Sequence, residues 1–228
     1  MESYVKSSLE QGVGTITLAR PDKRNALKRD FIVQLTAAVD TLSADSELRL
    51  LVFRAAGSVF CAGMDLGEMQ ERATSDDGKI EWQKDSEVYA QLLKKVFELS
   101  VPTVVALQGP VLAGGVGLVL ACDMIIAADN AFVMLPEPMR GITAAMVTPF
   151  LVYRVGAGTA SEILLSGRRY PAARCHQLGL IHACCSASEL DATVDAYTAS
   201  ILTGSQAALA ITKQHIRHCA GSQISEQL

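Results

Sequence analysis

The sequence predicts an α/β fold whose later part is mainly helical. Three observations lead there. Short, uninterrupted apolar runs at residues 50–53 and 103–107 read as buried parallel strands. Between such runs lie segments with apolar residues at helical spacing, as Leu27, Phe31, Leu35, Ala38, Val39 and Leu42 show. After Ala144 helical spacing takes over, so alternating strands and helices give way to helices alone.

In chain order, residues 4–9 and 14–18 are β-prone runs around a polar Glu10-Gln11-Gly12 turn, a hairpin. A charged loop, residues 20–25, leads into a helix expected over 26–42. The strand at 50–53 is bracketed by Arg49 and Arg54, and a loop with two glycines follows at 57–66. Residues 68–81 are polar and charged and read as an exposed, mobile stretch. A helix over 85–99 is stopped by Pro102, and the strand at 103–107 opens a glycine-rich segment, 109–117. Residues 118–122 complete a short helix, 123–128 and 132–134 return as strands, and Pro136-Glu137-Pro138 makes a corner. Helices are expected over 145–155, 159–166, 172–178, 188–202 and 206–219. The division expected is a core at 1–185 and a helical region at 186–228.

Composition narrows the function. Of 228 residues, 50% are hydrophobic and 19% charged, enough for a sizeable core and too apolar for disorder. A net charge of -4 argues against a nucleic-acid partner held by phosphate contacts. No run reaches the roughly 18 apolar residues of a membrane span. The start Met1-Glu2-Ser3-Tyr4 lacks the basic and apolar regions of a secretory signal, so a cytoplasmic location is expected, although a cleaved import segment would leave no trace. The 6 cysteines form no CxxC pair and read as small buried hydrophobes. His215 and His218 share a helix face near Cys219, but no further ligand flanks them at metal spacing. Trp82 and Tyr89 read as lid or helix packing.

Two segments carry chemistry. In Phe60-Cys61-Ala62-Gly63-Met64-Asp65-Leu66, Gly63 lets the backbone turn so that the Met64 amide points outward. The alternative is an ordinary glycine turn. In Gly109-Pro110-Val111-Leu112-Ala113-Gly114-Gly115-Val116-Gly117, a strand leads into a helix, whose N-terminus offers free amides and a partial positive charge of roughly half a unit. No GK[ST] follows and the GxGxxG pattern is missing, so neither a P-loop nor a dinucleotide site fits. Two outward amides on strand-to-helix turns are the parts of an oxyanion hole.

These segments, with Arg20-Pro21, Asn25-Ala26-Leu27, Ala121-Cys122-Asp123 and Pro136-Glu137, resemble the enoyl-CoA hydratase/isomerase (crotonase) superfamily from the first strand to about His218. The resemblance implies a spiral core of ββα units and an acyl-CoA substrate. It implies that the amides of Met64 and Gly114 stabilise a thioester enolate. It places Lys23 and Arg24 near the CoA phosphates and Ala26 and Ala62 at the adenine end, with Gly63, Asp65, Leu66, Gly115, Gly117 and Pro136 also against the substrate. Lys23 and Arg24 read equally well as a solvated loop. The resemblance further implies a homotrimer or hexamer, no metal and no cofactor beyond the CoA thioester, and one or two helices past Gln227-Leu228, so the C-terminal region is expected to be shortened.

The acid/base residues decide the reaction. Hydratases of the best-known type carry two glutamates, and the positions that match them here are Gly117 and Glu137. Prolines on both sides hold Glu137, and burial beside Leu135 and Met139 is expected to raise its pKa, as suits a general acid or base. The stretch Gly114-Gly115-Val116-Gly117-Leu118 with Pro149-Phe150-Leu151 is similar to hydratases of branched glutaconyl-type acyl-CoA and to polyketide-associated dehydratases. The sequence departs from the family in the turn Gly141-Ile142-Thr143-Ala144-Ala145, where a Pro-Gly-rich turn is usual. The reading is a hydratase with Glu137 as general acid/base. A Δ3,Δ2-enoyl-CoA isomerase with one glutamate and a non-catalytic CoA-binding module stay open as alternatives. The related serine peptidase architecture lacks its nucleophile, because residues 114–122 contain no serine.

Overall fold

The computed structural model describes residues 3–220 and residue 224. Strands β1 (Val5–Glu10) and β2 (Val13–Leu18) form the expected hairpin, with Gln11 and Gly12 both at positive φ in its turn. A short 3-10 turn, Pro21–Lys23, precedes helix α1 (Arg29–Ser43). Then follow β3 (Leu50–Ala55), α2 (Leu66–Thr74), α3 (Gly78–Glu98), β4 (Thr103–Leu107), β5 (Val111–Leu112), α4 (Gly114–Ala121), β6 (Met124–Ala128) and β7 (Phe132–Met134). After a second 3-10 turn, Glu137–Arg140, come α5 (Thr148–Ser166), β8 (Arg169–Pro171), α6 (Ala172–Gln177), β9 (Ala183–Cys185), α7 (Leu190–Leu202) and α8 (Gln206–Cys219).

The main sheet has the order β1-β2-β3-β4-β6-β9, antiparallel only at the first pair. A smaller sheet, β5-β7-β8, stands beside it. The central strands β3, β4 and β6 are mainly apolar because both their faces are covered. Leu51, Phe53, Val105, Leu107, Ile125 and Ala127 face the large core with α1, α3 and α4. Their alternates Leu50, Val52, Val104, Ala106, Ile126 and Ala128 meet Leu190 and Val194 of α7 on the other face. The C-terminal helices are thus joined to the sheet. Lys213 of α8 is buried and holds the Val101 carbonyl at 2.7 Å and Asp123 at 2.6 Å.

Several expectations are corrected. Helix α1 begins at Arg29, not at 26, because Leu27 is drawn into a parallel bridge with Met64. Residues 68–81 are mostly exposed, as expected, but they are helical, falling largely in α2 and the first turn of α3, which therefore begins before 85. Ion pairs do there what apolar residues do elsewhere: Arg29 binds Glu81 at 2.7 Å and Asp85, and Arg72 binds Asp85 at 3.2 Å. The two helices expected over 145–155 and 159–166 are present as the two arms of α5, which breaks at Gly156, whose φ is 72; the first arm begins at Thr148 rather than at 145. Strands β5, β8 and β9 are two or three residues long, too short to carry a period. Cys61, Cys122 and Cys175 are buried as expected, whereas Cys184 and Cys185 are half-buried and Cys219 is exposed. The chain end at Gln227-Leu228 lies outside the described residues.

Candidate active site

The site lies beyond the carboxyl ends of the parallel strands β3 and β4, the usual place for a ligand in such sheets. Two loops leave those ends and zip together. Phe60 donates its amide to Pro110 at 2.9 Å and Leu112 donates to the Cys61 carbonyl at 2.9 Å, which pairs Cys61 with Val111. Three residues onward along each segment stand Met64 and Gly114. They adjoin: a methyl on Gly63 would lie 3.3 Å from the Gly114 nitrogen, and one on Gly114 would lie 3.8 Å from the Met64 nitrogen.

Each amide faces the cavity for its own reason. Leu27 donates to the Gly63 carbonyl at 2.8 Å and accepts from the Asp65 amide at 2.8 Å. Successive groups of an extended backbone alternate sides, so the Met64 N–H between them points away from Leu27. Gly63 has φ +91, where a side chain is strained. Gly114 is the first residue of α4, so its N–H has no partner inside the helix. Before it, Ala113 adopts φ 48 and ψ -131, a strained conformation for a non-glycine residue of the kind found at functional sites.

Both amides open into a cavity of about 1050 Å³. Lys23, Arg24, Ala26 and Ala62 line one part of it. This loop is organised by the buried Asn25, whose carboxamide accepts from Arg20 and donates to the carbonyls of Ala56 and Val59, each at 2.9 Å. Met69, Trp82, Ile142, Ala144, Ala145 and Met146 supply an apolar part, so the unusual turn after Glu137 is cavity wall.

Asp65 and Leu66 line the cavity as expected, but Asp65 is committed to structure. It pairs with Arg20 at 2.6 Å and caps α2 through the amides of Gly67 and Glu68. Burial pushes its carboxyl up, yet Arg20 and those amides together hold it below the ordinary value.

Glu137 and Pro136 are buried in the cavity wall. Oε2 of Glu137 is buried with no hydrogen-bond partner among the described residues. Burial raises the pKa; the local backbone and Arg140 pull the other way without cancelling it. Leu135 is buried beside it, but Met139 points outward at 63% exposure and takes no part in that burial. Three other carboxylates of the wall are occupied: Asp65 by Arg20, Glu68 by Arg72 and Asp85 by Arg29 and Arg72. A fourth, Asp22, is exposed on the loop. The arrangement can neutralise charge on a carbonyl oxygen with two N–H groups while one half-desolvated carboxylate moves a proton.

Three expected substrate contacts are not cavity wall. Gly63, Gly115 and Gly117 are all buried behind it. Gly63 sets the turn, and Gly115 lets α4 close on the 60s loop, since a methyl there would lie 2.7 Å from the Cys61 Cβ. A methyl on Gly117 would lie 2.6 Å from the Tyr89 hydroxyl. Tyr89 is the residue that sequence reasoning missed: it lines the cavity, and its hydroxyl donates to the Gly114 carbonyl. Its spacing on α3 marks it only as core. Trp82 also lines the cavity. Among the described residues no group of three His, Cys, Asp or Glu could hold a metal, and His215 and His218 gather no such set.

Fold and site together bring two residues with outward-facing backbone amides, Met64 and Gly114, into one cavity wall with a single unpartnered buried carboxylate among the described residues. The family model for enoyl-CoA hydratase/isomerase matches residues 8–228, and the chain belongs to that family. It is 36% identical over 174 residues to the mouse enoyl-CoA hydratase domain-containing protein 2, mitochondrial, covering 75% of this chain and 57% of that one. The human protein of the same name is 35% identical over 190 residues, 80% of this chain and 62% of that one. The chain thus spans less than two thirds of these relatives. An enoyl-CoA hydratase structure from Shewanella pealeana superposes with a TM-score of 0.90 at 26% identity, over 96% of this chain and 81% of that one. One from Mycobacterium smegmatis gives 0.90 at 27%, over 99% and 87%.

Proposed function

We propose that the protein adds water to a 2-enoyl-CoA to give a 3-hydroxyacyl-CoA. The observation that carries this reading is the orphaned Glu137 Oε2, buried in the same cavity wall that Met64 and Gly114 line. In this reading the thioester oxygen lies between the two amides. Water gives a proton to Glu137 as its oxygen bonds to C3, the double-bond electrons pass to the thioester oxygen, and the resulting enolate takes the proton back from Glu137 at C2. Lys23 and Arg24 meet the CoA phosphates, and Ala26 and Ala62 border the adenine. The step draws on the thioester, two amides and one carboxylate, and calls for no metal or redox group.

The absence of a carboxylate at Gly117 favours a second reading, isomerisation of a 3-enoyl-CoA, in which Glu137 removes a proton from C2 and returns it at C4 through the same enolate. The deciding experiment gives the protein matched 2-enoyl and 3-enoyl thioesters and follows water addition and double-bond shift separately. Hydration is expected, and Glu137→Gln should lose about 10²–10⁴-fold in turnover while keeping CoA-ester binding. A double-bond shift without hydration replaces the first reading by the second. No turnover of either class leaves a CoA-binding module.

We also propose assembly as a homotrimer or hexamer. Leu165 of α5 and Ile211 and Ile216 of α8 support it, being 80%, 53% and 58% exposed. A monomer mass by light scattering would overturn it.

A further inference from the structure

Among the cavity's polar side chains that the proposed chemistry leaves unused, Tyr89 is the one that bonds to the backbone of a proposed donor residue. Tyr89 is 1% exposed, yet its hydroxyl reaches the wall beneath α4. That hydroxyl donates to the carbonyl of Gly114, the residue whose own N–H faces the cavity. It can do so only because residue 117 has no side chain, since even a methyl there would come within 2.6 Å of the phenol oxygen. Gly117 and Tyr89 are therefore a matched pair: the space a side chain at 117 would take is filled from α3.

We propose that Tyr89 is a positioning residue for the enolate-stabilising site. Its hydroxyl, seated against Gly117, grips the first turn of α4 and so fixes the direction of the Gly114 N–H. The need for such a grip follows from the turn itself. Ala113 holds a strained φ of 48, and the first turn of a helix lacks the hydrogen bonds that stiffen later turns. Glycines at 114, 115 and 117 add little stiffness of their own. A hydrogen bond from a rigid ring anchored in the core replaces what the backbone lacks. Burial drives the phenol well above its usual pKa, with Cys61 and Glu137 adding to the rise and the Leu118 amide opposing it. The group thus stays a neutral donor across the working pH range.

This inference rests on the enolate-stabilising reading of the site, and its test separates the two. The probe is a 3-ketoacyl-CoA, whose bound enolate is read by ultraviolet absorbance and requires no turnover. Tyr89→Phe keeps the ring and removes the donor. It should lower the fraction of probe bound as enolate and reduce kcat about tenfold with little change in KM, short of the ~10²–10³-fold lost when an oxyanion donor itself is removed. Gly117→Ala displaces the same hydroxyl, so it should reproduce the defect, and the double variant should be no worse than the worse single one. A Tyr89→Phe protein with parental enolate fraction and kcat overturns the proposal, as do single effects that multiply in the double variant. A parent that binds the probe as enolate but turns over neither enoyl thioester defeats the hydratase reading and leaves Tyr89 in its role. A parent that forms no bound enolate defeats both.

Discussion

The loop around Met64 and the turn into α4 present the same chemical group to the cavity, a backbone N–H, by different means. Met64 is held by backbone hydrogen bonds to Leu27 on both sides of it, a glycine at φ +91 and the Asp65 cap of α2. Gly114 is held by the start of a helix after a strained alanine, with its carbonyl gripped from α3. The first donor is fixed by backbone pairing on both sides of it. The second is fixed through a side chain from another helix. A site can therefore stand on one donor held by backbone ladders and one that borrows its rigidity from a side chain, and the two should fail differently.

The largest effect is expected from Gly63→Ala. The new methyl meets the Ala113 Cβ at 2.7 Å in a conformation closed to side chains, so both donors are disturbed at once. Turnover should fall about 10²–10³-fold. A change confined to KM would mean that the Met64 amide contacts substrate without serving the transition state.

A smaller effect concerns the carboxylate that shares the cavity wall with both donors. Acting as base, Glu137 must be ionised, so kcat/KM should rise with pH along an acid limb above the ordinary carboxylate range. Arg140 opposes the rise in pKa, so Arg140→Gln should move that limb to higher pH. The sign for stability is fixed too. A carboxyl whose folded pKa is raised contributes stability fully below its unfolded pKa and loses it as pH rises through the folded one. Arg140→Gln should therefore push this loss to higher pH, readable in thermal midpoints across a pH series. A limb that stays in place would assign it to another group.

The smallest effect tests the borrowed rigidity. Ala113→Gly relieves the strain at φ 48 while loosening the turn, and should change stability by about 1 kcal/mol or less, with a net gain expected. A loss in calorimetry would show that the Ala113 methyl is worth more as packing than its conformation costs.

Much of this was legible in the sequence because it is written in period and composition. Central strands at 103–107 and 132–134 and the helix at 206–219 declare themselves by apolar runs or spacing, and the structure returns them with the same bounds. The α2–α3 segment hid because Arg29, Arg72, Glu81 and Asp85 bury charge in pairs, and hydrophobic spacing cannot register that. Of the site, the segments carrying Met64, Gly114 and Glu137 were legible as glycine turns and a proline corner. Gly63, Gly115 and Gly117 were placed against substrate, whereas they stand one layer back. Their glycines answer to Ala113, Cys61 and Tyr89, and a contact across 28 residues between Tyr89 and Gly117 leaves no mark on either neighbourhood.

The pairing of Cys61 with Val111 has one more consequence. From that bridge each segment runs three residues to its donor, so the spacing between the donors is set by how many residues each segment contains. The side chains at 64 and 112 line the cavity, but neither supplies the N–H itself. Chain length decides where that N–H points: inserting or deleting a single residue between 61 and 64, or between 111 and 114, would swing a carbonyl to where an N–H belongs. In evolutionary terms these two stretches should keep their length and the glycines at 63 and 115 that a side chain would crowd.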